Sequence, residues 1–250
     1  MYEKQLKIAI AAVKASEKTF RKYFGTKTKL QNKSGDFRNL VSLADKTIEK
    51  EIRKYILTKF PKHGFVGEEN GSVNRKAEFK WVLDPIDGTS NYINGLSSCV
   101  ISLALLKKEK TVLAVVYVPM LRELYTAILG QGALCNGQPV RVSNKTDLHL
   151  GFGALGWSRD IKFAVRLFSK LLPKVLSLRV AGSGTFTLCN VAKGNYDFFV
   201  GKGNPAIWDI VAGELIVKEA GGAVVNLKKK PPIQIAANKM LAAKIFKLFK

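Results

Sequence analysis

One stretch, WVLDPIDGTSNY at positions 81–92, constrains the fold of this chain more than any other. It begins with apolar, β-prone residues that suit a buried strand, and an Asp-Pro pair follows at 84–85. Because proline has no amide hydrogen to donate to a neighbouring strand, we expect the strand to end at this pair. The Asp-Gly-Thr sequence at 87–89 is typical of a turn that opens a helix. The stretch therefore predicts two carboxylates beside free backbone amides, where a hard cation and a phosphate could bind.

The composition is that of an ordinary globular protein with an unusual charge. The chain has 250 residues, of which 47% are hydrophobic and 24% charged, which is enough for a substantial core. Its 41 Lys and Arg residues outnumber 19 Asp and Glu residues, giving a formal charge of +22. This excess would attract partners that carry phosphate, including nucleic acids, anionic lipids and small phosphate esters. The lysines are scattered, which favours a solvated lysine-rich surface over a dedicated polyanion patch.

Cysteine usage and hydropathy predict the compartment. Cys99, Cys135 and Cys189 are far apart, odd in number and free of any CxxC pair, which argues against a disulfide framework or a zinc site. The apolar run at 8–13 is too short for a signal peptide, and no run approaches the roughly 18 apolar residues of a membrane span. We therefore expect a cytoplasmic protein with no membrane partner.

The order of the predicted elements indicates two parts. Helices are predicted at 3–24, at 39–59 after a short lead-in, and at 159–172, 182–192, 208–220 and 240–249. Strands are predicted at 99–106, 112–118, 123–128, 140–142, 148–155, 176–180, 196–200, 223–226 and 233–237. The fold class is therefore α/β, with an N-terminal α+β part at 1–147 and a C-terminal α/β part at 148–250.

Four acidic residues, Glu68, Asp84, Asp87 and Asp209, are the candidates for chemistry. Each has an ordinary structural explanation, since Asp-Pro and Asp-Gly form turns and Asp209 could be only a helix N-cap. Considered together, however, they adjoin the ends of predicted strands or helices, where carboxylates can meet. A set of oxygen ligands without histidine or cysteine favours Mg²⁺ or a similar hard ion.

Two other sequence matches do not carry a function. GFGALG at 151–156 fits the glycine pattern of dinucleotide-binding folds, which need an acidic residue about 20 positions further on. Residues 161–196 contain neither Asp nor Glu, so we reject the nucleotide interpretation. His63 and His149 lie in no motif, and we interpret both as structural or surface residues.

Four motifs, in order along the chain, resemble those of the inositol monophosphatase family. The central stretch is similar to the family's metal-binding signature, and the Gly-Glu-Glu at 67–69 is similar to its acidic motif. LVSLAD at 40–45 resembles its Leu-Val-x-x-x-Asp motif, and WDIVAGELIVKEAGG at 208–222 resembles its C-terminal signature. The resemblance covers about residues 38–222. It implies a layered αβαβα sandwich of the sugar-phosphatase type, with the metal site between the two parts.

The resemblance also implies a cofactor of two or three Mg²⁺ ions per site. The implied ligands are the side chains of Glu68, Glu69, Asp84, Asp87 and Asp209 and the carbonyl of Ile86. Glu68, Asp84 and Ile86 would hold one ion. Asp84 would also bridge to a second ion held with Asp87 and Asp209, and Glu68 with Glu69 would support a weaker third.

Roles toward substrate follow from the same resemblance. The amides of Gly88 and Thr89 would grip the phosphate next to Asp87 and Asp209, and Thr89, paired with Asp45 and helped by Glu68, would orient and deprotonate the attacking water. The residues of the implied sugar-contacting loop are Gly182, Ser183 and Gly184.

The chain departs from the family pattern where the substrate is selected. Inositol-preferring members carry a glutamate seven residues before the aspartate of the C-terminal signature, and that position here is Lys202. A lysine cannot accept hydrogen bonds from ring hydroxyls but could pair with a second phosphate or a carboxylate. Lys33 is one residue out of register with a family lysine near the metal site, so its role stays open.

The predicted function is Mg²⁺-dependent hydrolysis of a small phosphate monoester, such as an inositol monophosphate or sugar phosphate, by direct water attack. The first alternative is a bisphosphate-specific phosphatase acting on fructose 1,6-bisphosphate or 3′-phosphoadenosine 5′-phosphate. A second is an RNA-binding transcription-complex protein, although the chain has no RRM or KH signature. The resemblance implies a homodimer, with RNA possible but not expected as the primary partner.

Overall fold

The computed structural model describes residues 2–25, 31–32, 40–41 and 43–250, with the backbone alone at 31–32 and 40–41. Short strands β1 (Gln31–Asn32) and β2 (Leu40–Val41) pair in the antiparallel sense. Lys33 lies outside the described residues, and so does part of the motif at 40–45. The role of Lys33 therefore stays open.

Three helices form the first layer: α1 (Glu3–Ala15), α2 (Glu17–Tyr23) and α3 (Leu43–Lys59). The prediction of one helix at 3–24 is wrong, because the helix is interrupted at Ser16. The hydroxyl of Ser16 donates to the Val13 carbonyl at 2.9 Å, which satisfies that carbonyl at the interruption. The predicted second helix is confirmed from Leu43 onward.

The first sheet has eight strands in the order β10-β9-β8-β7-β6-β5-β3-β4. Their bounds are β3 (Gly64–Gly67), β4 (Ser72–Val73), β5 (Phe79–Asp87), β6 (Val100–Lys107), β7 (Lys110–Val118), β8 (Glu123–Ile128), β9 (Ala133–Cys135) and β10 (Gln138–Pro139). Neighbours are antiparallel except β3 and β5, which are parallel. The prediction of a strand at 140–142 is wrong, because the Val142 amide donates outside the sheet, to the Ala220 carbonyl at 3.1 Å.

The central strand β5 does not end at Asp84, so that prediction is also wrong. Its ladder with β6 pairs Asp84 with Ser102 and then Asp87 with Val100, so three steps along β5 match two along β6. This register shift is a β-bulge, which leaves an extra residue unpaired. Pro85 lies within the bulge, where its nitrogen is not required to donate a ladder hydrogen bond. The bulge therefore carries β5 past the proline to Asp87.

The second sheet has five strands in the order β12-β11-β13-β15-β14. Their bounds are β11 (Phe152–Leu155), β12 (Ser177–Arg179), β13 (Phe198–Lys202), β14 (Ala223–Leu227) and β15 (Ile233–Ala237). The helices from the centre of the chain onward are α4 (Thr89–Ile93), α5 (Ile161–Leu171), α6 (Gly184–Ala192), α7 (Ile207–Glu219) and α8 (Lys239–Phe249). These elements confirm the predicted ones within a few residues.

Three buried apolar cores separate the layers. The first lies between α1–α3 and one face of the first sheet, where Trp81 and Leu83 of β5 point. The second packs the opposite face, including Val82, against α6 and α7 and reaches the second sheet at Phe199. The third packs the second sheet against α5 and α8. The order helix, sheet, helix, sheet, helix confirms the predicted αβαβα sandwich.

The two sheets come from different stretches of the chain. The first sheet uses residues 64–139 and the second uses residues 152–237. The division into parts at 1–147 and 148–250 stays a prediction. Among the described residues, no helix combines the length and apolar character that crossing a membrane requires.

Candidate active site

The side chain of Asp84, in the bulge of β5, lies at the centre of an acidic group. It is only 2% exposed. Burial raises its pKa well above the usual range, and the nearby charges of Glu68, Asp87, Asp209 and Asp45 raise that pKa further, in that order. The structure therefore brings together all four acids singled out in the sequence, with Asp45 beside them.

The acids grouped at Asp84 lie on, or directly after, four separate elements: β3, β5, α3 and α7. β3 lies parallel to β5 with Gly67 opposite Leu83, so Glu68 follows β3 at the edge where β5 carries Asp84. Asp45 lies in the first turn of α3 and is 2% exposed, and Asp209 lies in the first turn of α7. The charges converge because parallel neighbours end at the same sheet edge and two helices begin there.

Asp87, at the end of β5, is bonded to the start of α6. Its Oδ2 accepts from the Ser183 hydroxyl at 2.8 Å and from the Thr185 amide at 2.6 Å. Burial raises the pKa of Asp87, and these hydrogen bonds oppose the rise because they stabilise its ionised form. The predicted substrate loop at 182–184 therefore holds an acid of the first sheet.

Asp209 is not the N-cap of α7, which is Ala206. Its Oδ2 accepts from the Ala206 amide at 3.1 Å, and its carbonyl accepts from the Thr185 hydroxyl at 2.9 Å. Thr185 thus links Asp87 to Asp209. We did not identify Thr185 from the sequence, because it belongs to none of the four motifs.

Gly88 lies where the chain turns from β5 into α4. Its φ is +91°, and a Cβ there would meet the Ser98 carbonyl at 3.0 Å and the Ser183 Cβ at 3.1 Å, so only glycine fits. The Thr89 hydroxyl donates to the Ile86 carbonyl at 3.1 Å, and the Ile86 amide donates to Asp84 at 3.0 Å. Because α4 has only five residues, an anion here would be bound by its free amides rather than by a large macrodipole.

These residues line a pocket of about 410 Å³. Its acidic wall is formed by Glu68, Asp87, Gly88, Thr89 and Asp209, next to Gly182, Ser183 and Gly184. Asp84, Ile86 and Asp45 are buried behind this wall. Glu69 does not line the pocket, and its amide donates to Glu49 at 2.8 Å.

Another part of the pocket lining, the cationic wall, is formed by Trp157, Arg159 and Lys202. Lys202 ends β13, and Trp157 and Arg159 follow β11. Because β11 and β13 are parallel neighbours, their carboxyl ends meet at one edge of the sheet. Arg159 and Lys202 are the cations among the described residues that line the pocket, and both are exposed. Trp157 and Arg159 were missed in the sequence; their position just after a parallel strand is the signal that points to them.

The donor set fits Mg²⁺ in its chemistry. The grouped side chains offer only carboxylate oxygens, which hard cations prefer. Burial raises the pKa of Asp84 most, and the negative charges that raise this pKa further are ones that a cation would neutralise. The grouping is open, however: across residues 2–25 and 43–250, no three His, Cys, Asp or Glu side chains form a compact ligand cluster. Like charges repel each other in the absence of a cation, and one oxygen each of Asp84, Asp87 and Asp209 already accepts a backbone amide, which accounts for the open grouping.

Comparison with known proteins gives the family. The profile of the inositol monophosphatase family matches residues 1–248. The fructose-1,6-bisphosphatase/inositol-1-monophosphatase of Aquifex aeolicus is 36% identical over 245 residues, covering 96% of this chain and 92% of that protein. The Nus factor SuhB of Pasteurella multocida is 35% identical over 226 residues, covering 88% of this chain and 84% of that protein. The crystal structure of the extragenic suppressor protein suhB from Bartonella henselae matches with a TM-score of 0.91 at 29% identity, covering 99% of each chain.

The fold and site define a layered α/β protein whose pocket combines grouped carboxylates with free backbone amides. The chain belongs to the inositol monophosphatase family, as its motifs indicated. It is therefore a hydrolase of the phosphatase type, in a family that acts on small phosphate substrates and generally requires Mg²⁺.

Proposed function

We propose that this protein hydrolyses a small phosphate monoester, of the inositol monophosphate or sugar phosphate kind, with Mg²⁺ and by direct attack of water. The observation that carries the proposal is that Glu68, Asp87 and Asp209 line one pocket with the Gly88–Thr89 turn, next to the buried acids Asp84 and Asp45. A phosphate in that pocket would meet backbone amides, and the acids would hold the cations that balance its charge.

The residues have distinct roles in this proposal. Glu68, Asp84, Asp87, Asp209 and the Ile86 carbonyl would hold two Mg²⁺ ions, with Glu69 assisting a third. When bound, Mg²⁺ supplies charge neutralisation at the phosphoryl oxygens and lowers the pKa of water.

The protein's own groups do the positioning. The amides of Gly88 and Thr89 bind the phosphoryl oxygens, and the Ser183 loop lies against the rest of the substrate. The Thr89 hydroxyl orients the attacking water, and the buried carboxylate of Asp45, with Glu68, takes its proton. The Ile86 carbonyl that Thr89 contacts at 3.1 Å keeps this hydroxyl at the acidic wall.

Phosphate release from inositol 1-phosphate and from sugar phosphates, with Mg²⁺ and then with EDTA, tests the proposal. Asp87→Asn and Asp209→Asn are expected to keep the fold and lose Mg²⁺-dependent activity, because each removes a ligand charge. Asp147→Asn is the matched control, since Asp147 is exposed and outside the pocket. Near-normal turnover in either ligand variant would refute the assignment.

A second candidate substrate is a bisphosphate, such as fructose 1,6-bisphosphate or 3′-phosphoadenosine 5′-phosphate. Arg159 and Lys202 favour it, because they face the same pocket as the acids and could pair with a second anionic group. The relative from Aquifex aeolicus is named a fructose-1,6-bisphosphatase as well as an inositol-1-monophosphatase.

Lys202→Glu tests this candidate. We expect kcat/KM for bisphosphates to fall about tenfold relative to monophosphates, since the change replaces an attractive charge by a repulsive one. Lys239→Glu makes the same charge change on an exposed lysine of α8, outside the pocket, and serves as the control. An unchanged preference in Lys202→Glu would exclude this role for the lysine.

A function of another class is RNA binding in a transcription complex, with secondary or no phosphatase activity. The charge of +22 and relatives named Nus factor SuhB support it. A gel shift with structured RNA at about 50 and 200 mM salt tests it, because phosphate contacts weaken steeply with salt. Binding that is absent at the lower salt concentration would exclude it.

We also propose a homodimer, and a cytoplasmic location stays a prediction. Three apolar residues of α5 and the residue that follows it are exposed at helical spacing: Ile161, Val165, Phe168 and Leu172. Such a stripe is typical of a surface that a partner covers. Sedimentation of the wild type and of Val165→Asp tests this, and a monomeric wild type at micromolar concentration would contradict it.

A further inference from the structure

A fully buried carboxylate, that of Glu49, lies behind the loop that carries Glu68. This carboxylate has no role in the proposed reaction. Glu49 of α3 is 0% exposed. Its Oε2 accepts from the Glu69 amide and its Oε1 from the Asn70 amide, each at 2.8 Å. Hydrogen bonds to a charged acceptor are roughly twice as strong as neutral ones. Two such bonds hold the backbone immediately after Glu68.

Gly67 makes room for this carboxylate. A Cβ at position 67 would lie 2.3 Å from the Glu49 Cδ and 2.4 Å from its Oε1, far inside contact distance. The glycine is therefore required for space, because any side chain would collide with Glu49. Because position 67 has no side chain, the Glu49 carboxylate can lie directly against the loop and accept from the amides of Glu69 and Asn70.

Side chains on successive turns of one face of α3 contact the loop at 67–70. Asp45, Glu49 and Arg53 are four residues apart and so lie on one face of the helix. Asp45 reaches the acidic group, and the Arg53 guanidinium donates to the Asn70 carbonyl at 3.1 Å. The Gly67 amide also closes the loop by donating to the Gly71 carbonyl at 3.2 Å.

We propose that Glu49 is a positioning residue: it holds the loop at 67–70 so that the Glu68 carboxylate faces Asp84. The inference rests on the proposed function, in which Glu68 is a ligand of Mg²⁺. Glu49 itself touches neither substrate nor cation. Groups that orient metal ligands in this way typically change metal affinity by 10- to 100-fold when they are replaced.

Glu49→Gln is the first test, because it keeps the size of the side chain. An amide side chain presents one acceptor and one donor, so one of the two loop amides loses its partner. We expect faster hydrogen exchange at Glu69 or Asn70. We also expect about tenfold weaker Mg²⁺ binding by calorimetry, and an unchanged KM for substrate at saturating Mg²⁺. Glu51→Gln, on the same helix but exposed, is the control and is expected to behave as the wild type.

Gly67→Ala tests the geometry from the other side. The added methyl group must push the Glu49 carboxylate away, so Mg²⁺ affinity is expected to fall as in Glu49→Gln. The double variant Glu49→Ala/Gly67→Ala removes the collision. Its Mg²⁺ affinity is expected to equal that of Glu49→Ala alone, because Gly67 acts through Glu49.

The outcomes separate the two proposals. If the wild type binds Mg²⁺ and Glu49→Gln binds it equally well with unchanged loop exchange, the role of Glu49 is refuted and the proposed function stands. A purely structural role would lower the unfolding temperature without changing Mg²⁺ affinity, and that result would also refute it. If the wild type binds no Mg²⁺, the proposed function fails, together with the role that Glu49 takes from it.

Discussion

The two walls of the pocket are built in opposite ways. Directly behind the acidic wall, Asp84 is 2% exposed, and Asp84, Asp87 and Asp209 each accept a hydrogen bond from a backbone amide. On the cationic wall, Trp157 is 73% exposed, and Arg159 and Lys202 are exposed as well. Buried charges must be held by hydrogen bonds, whereas charges at exposed positions are also stabilised by water. We infer that the first wall sets the chemistry and the second selects the substrate.

The largest effect that this contrast predicts is that of Asp84→Asn. We expect Mg²⁺-dependent phosphate release to fall about 10³-fold or more, because metal charge is worth several kcal/mol and about 1.4 kcal/mol is tenfold in rate. Because burial and, after it, the neighbouring acids raise the pKa of Asp84, replacing its carboxylate by a neutral amide removes a desolvation cost and relieves repulsion. The unfolding temperature in EDTA is therefore expected to rise by about 2–4 °C, the shift for about 1 kcal/mol in a chain of this size.

The control for Asp84→Asn is again Asp147→Asn, which makes the same chemical change on an exposed side chain. Activity within tenfold of the wild type, or an unfolding temperature in EDTA below that of the wild type, would contradict the account of a crowded acidic wall.

Ser183→Ala is expected to have an intermediate effect, because it loosens the acidic wall without removing a charge. The Ser183 hydroxyl donates to Asp87 and accepts from the Phe186 amide at 3.0 Å as the N-cap of α6. We expect a loss of about 1 kcal/mol of stability from the cap and about tenfold lower activity from the less restrained Asp87. Asp160→Ala removes the N-cap of α5 outside the pocket, so it is expected to cost similar stability with normal activity. Equal activity losses in both variants would show that the effect comes from the cap alone.

Arg159→Met is expected to have a smaller effect, confined to substrate choice. Exposed ion pairs are worth about 0.2–1 kcal/mol, so KM for a bisphosphate is expected to rise about two- to fivefold. The kcat for a monophosphate is expected to stay unchanged, since Arg159 belongs to the cationic wall and has no role in the proposed chemical step. Arg141→Met, at an exposed arginine outside the pocket, is the control. A fall in kcat for both substrates would show that Arg159 takes part in the chemical step. It would contradict the inference that the cationic wall serves only to select the substrate.

The smallest expected effect is a difference in solvent access between Cys99, near the acidic wall, and Trp157, on the cationic wall. Burial and the charges of Asp87 and Asp45 raise the pKa of the Cys99 thiol to about 12, so the thiolate fraction at pH 8 is about 10⁻⁴. We expect Cys99 to react with a disulfide reagent only after unfolding. By contrast, acrylamide is expected to quench Trp157 in the folded protein. Rapid labelling of Cys99 in the folded protein would show that the acidic wall is open to water.

The sequence predicted the elements that depend on local chemistry. The strand into β5, the turn at Gly88 and the first turns of α3 and α7 each follow from apolar runs, glycine and helix-favouring residues within a few positions. The prediction failed at Pro85, because a bulge depends on how β6 pairs with β5, and at Ser16, where one predicted helix is two. Glu49 and Thr185 were missed because the residues they contact are distant in the chain. Arg159 was missed because it reaches the pocket only through the parallel pairing of β11 with β13.

By itself, the sequence determined the family, the layered fold class and the residue types of an all-oxygen site, because these follow from short motifs and from periodicity. Only the tertiary structure decided which carboxylates are grouped at one pocket, which amides hold them and that cations line the same pocket. The physical reason is that these effects, namely charge repulsion, burial and restraint of loops, act between residues that sheet pairing brings together. No local sequence pattern encodes the distances between such residues.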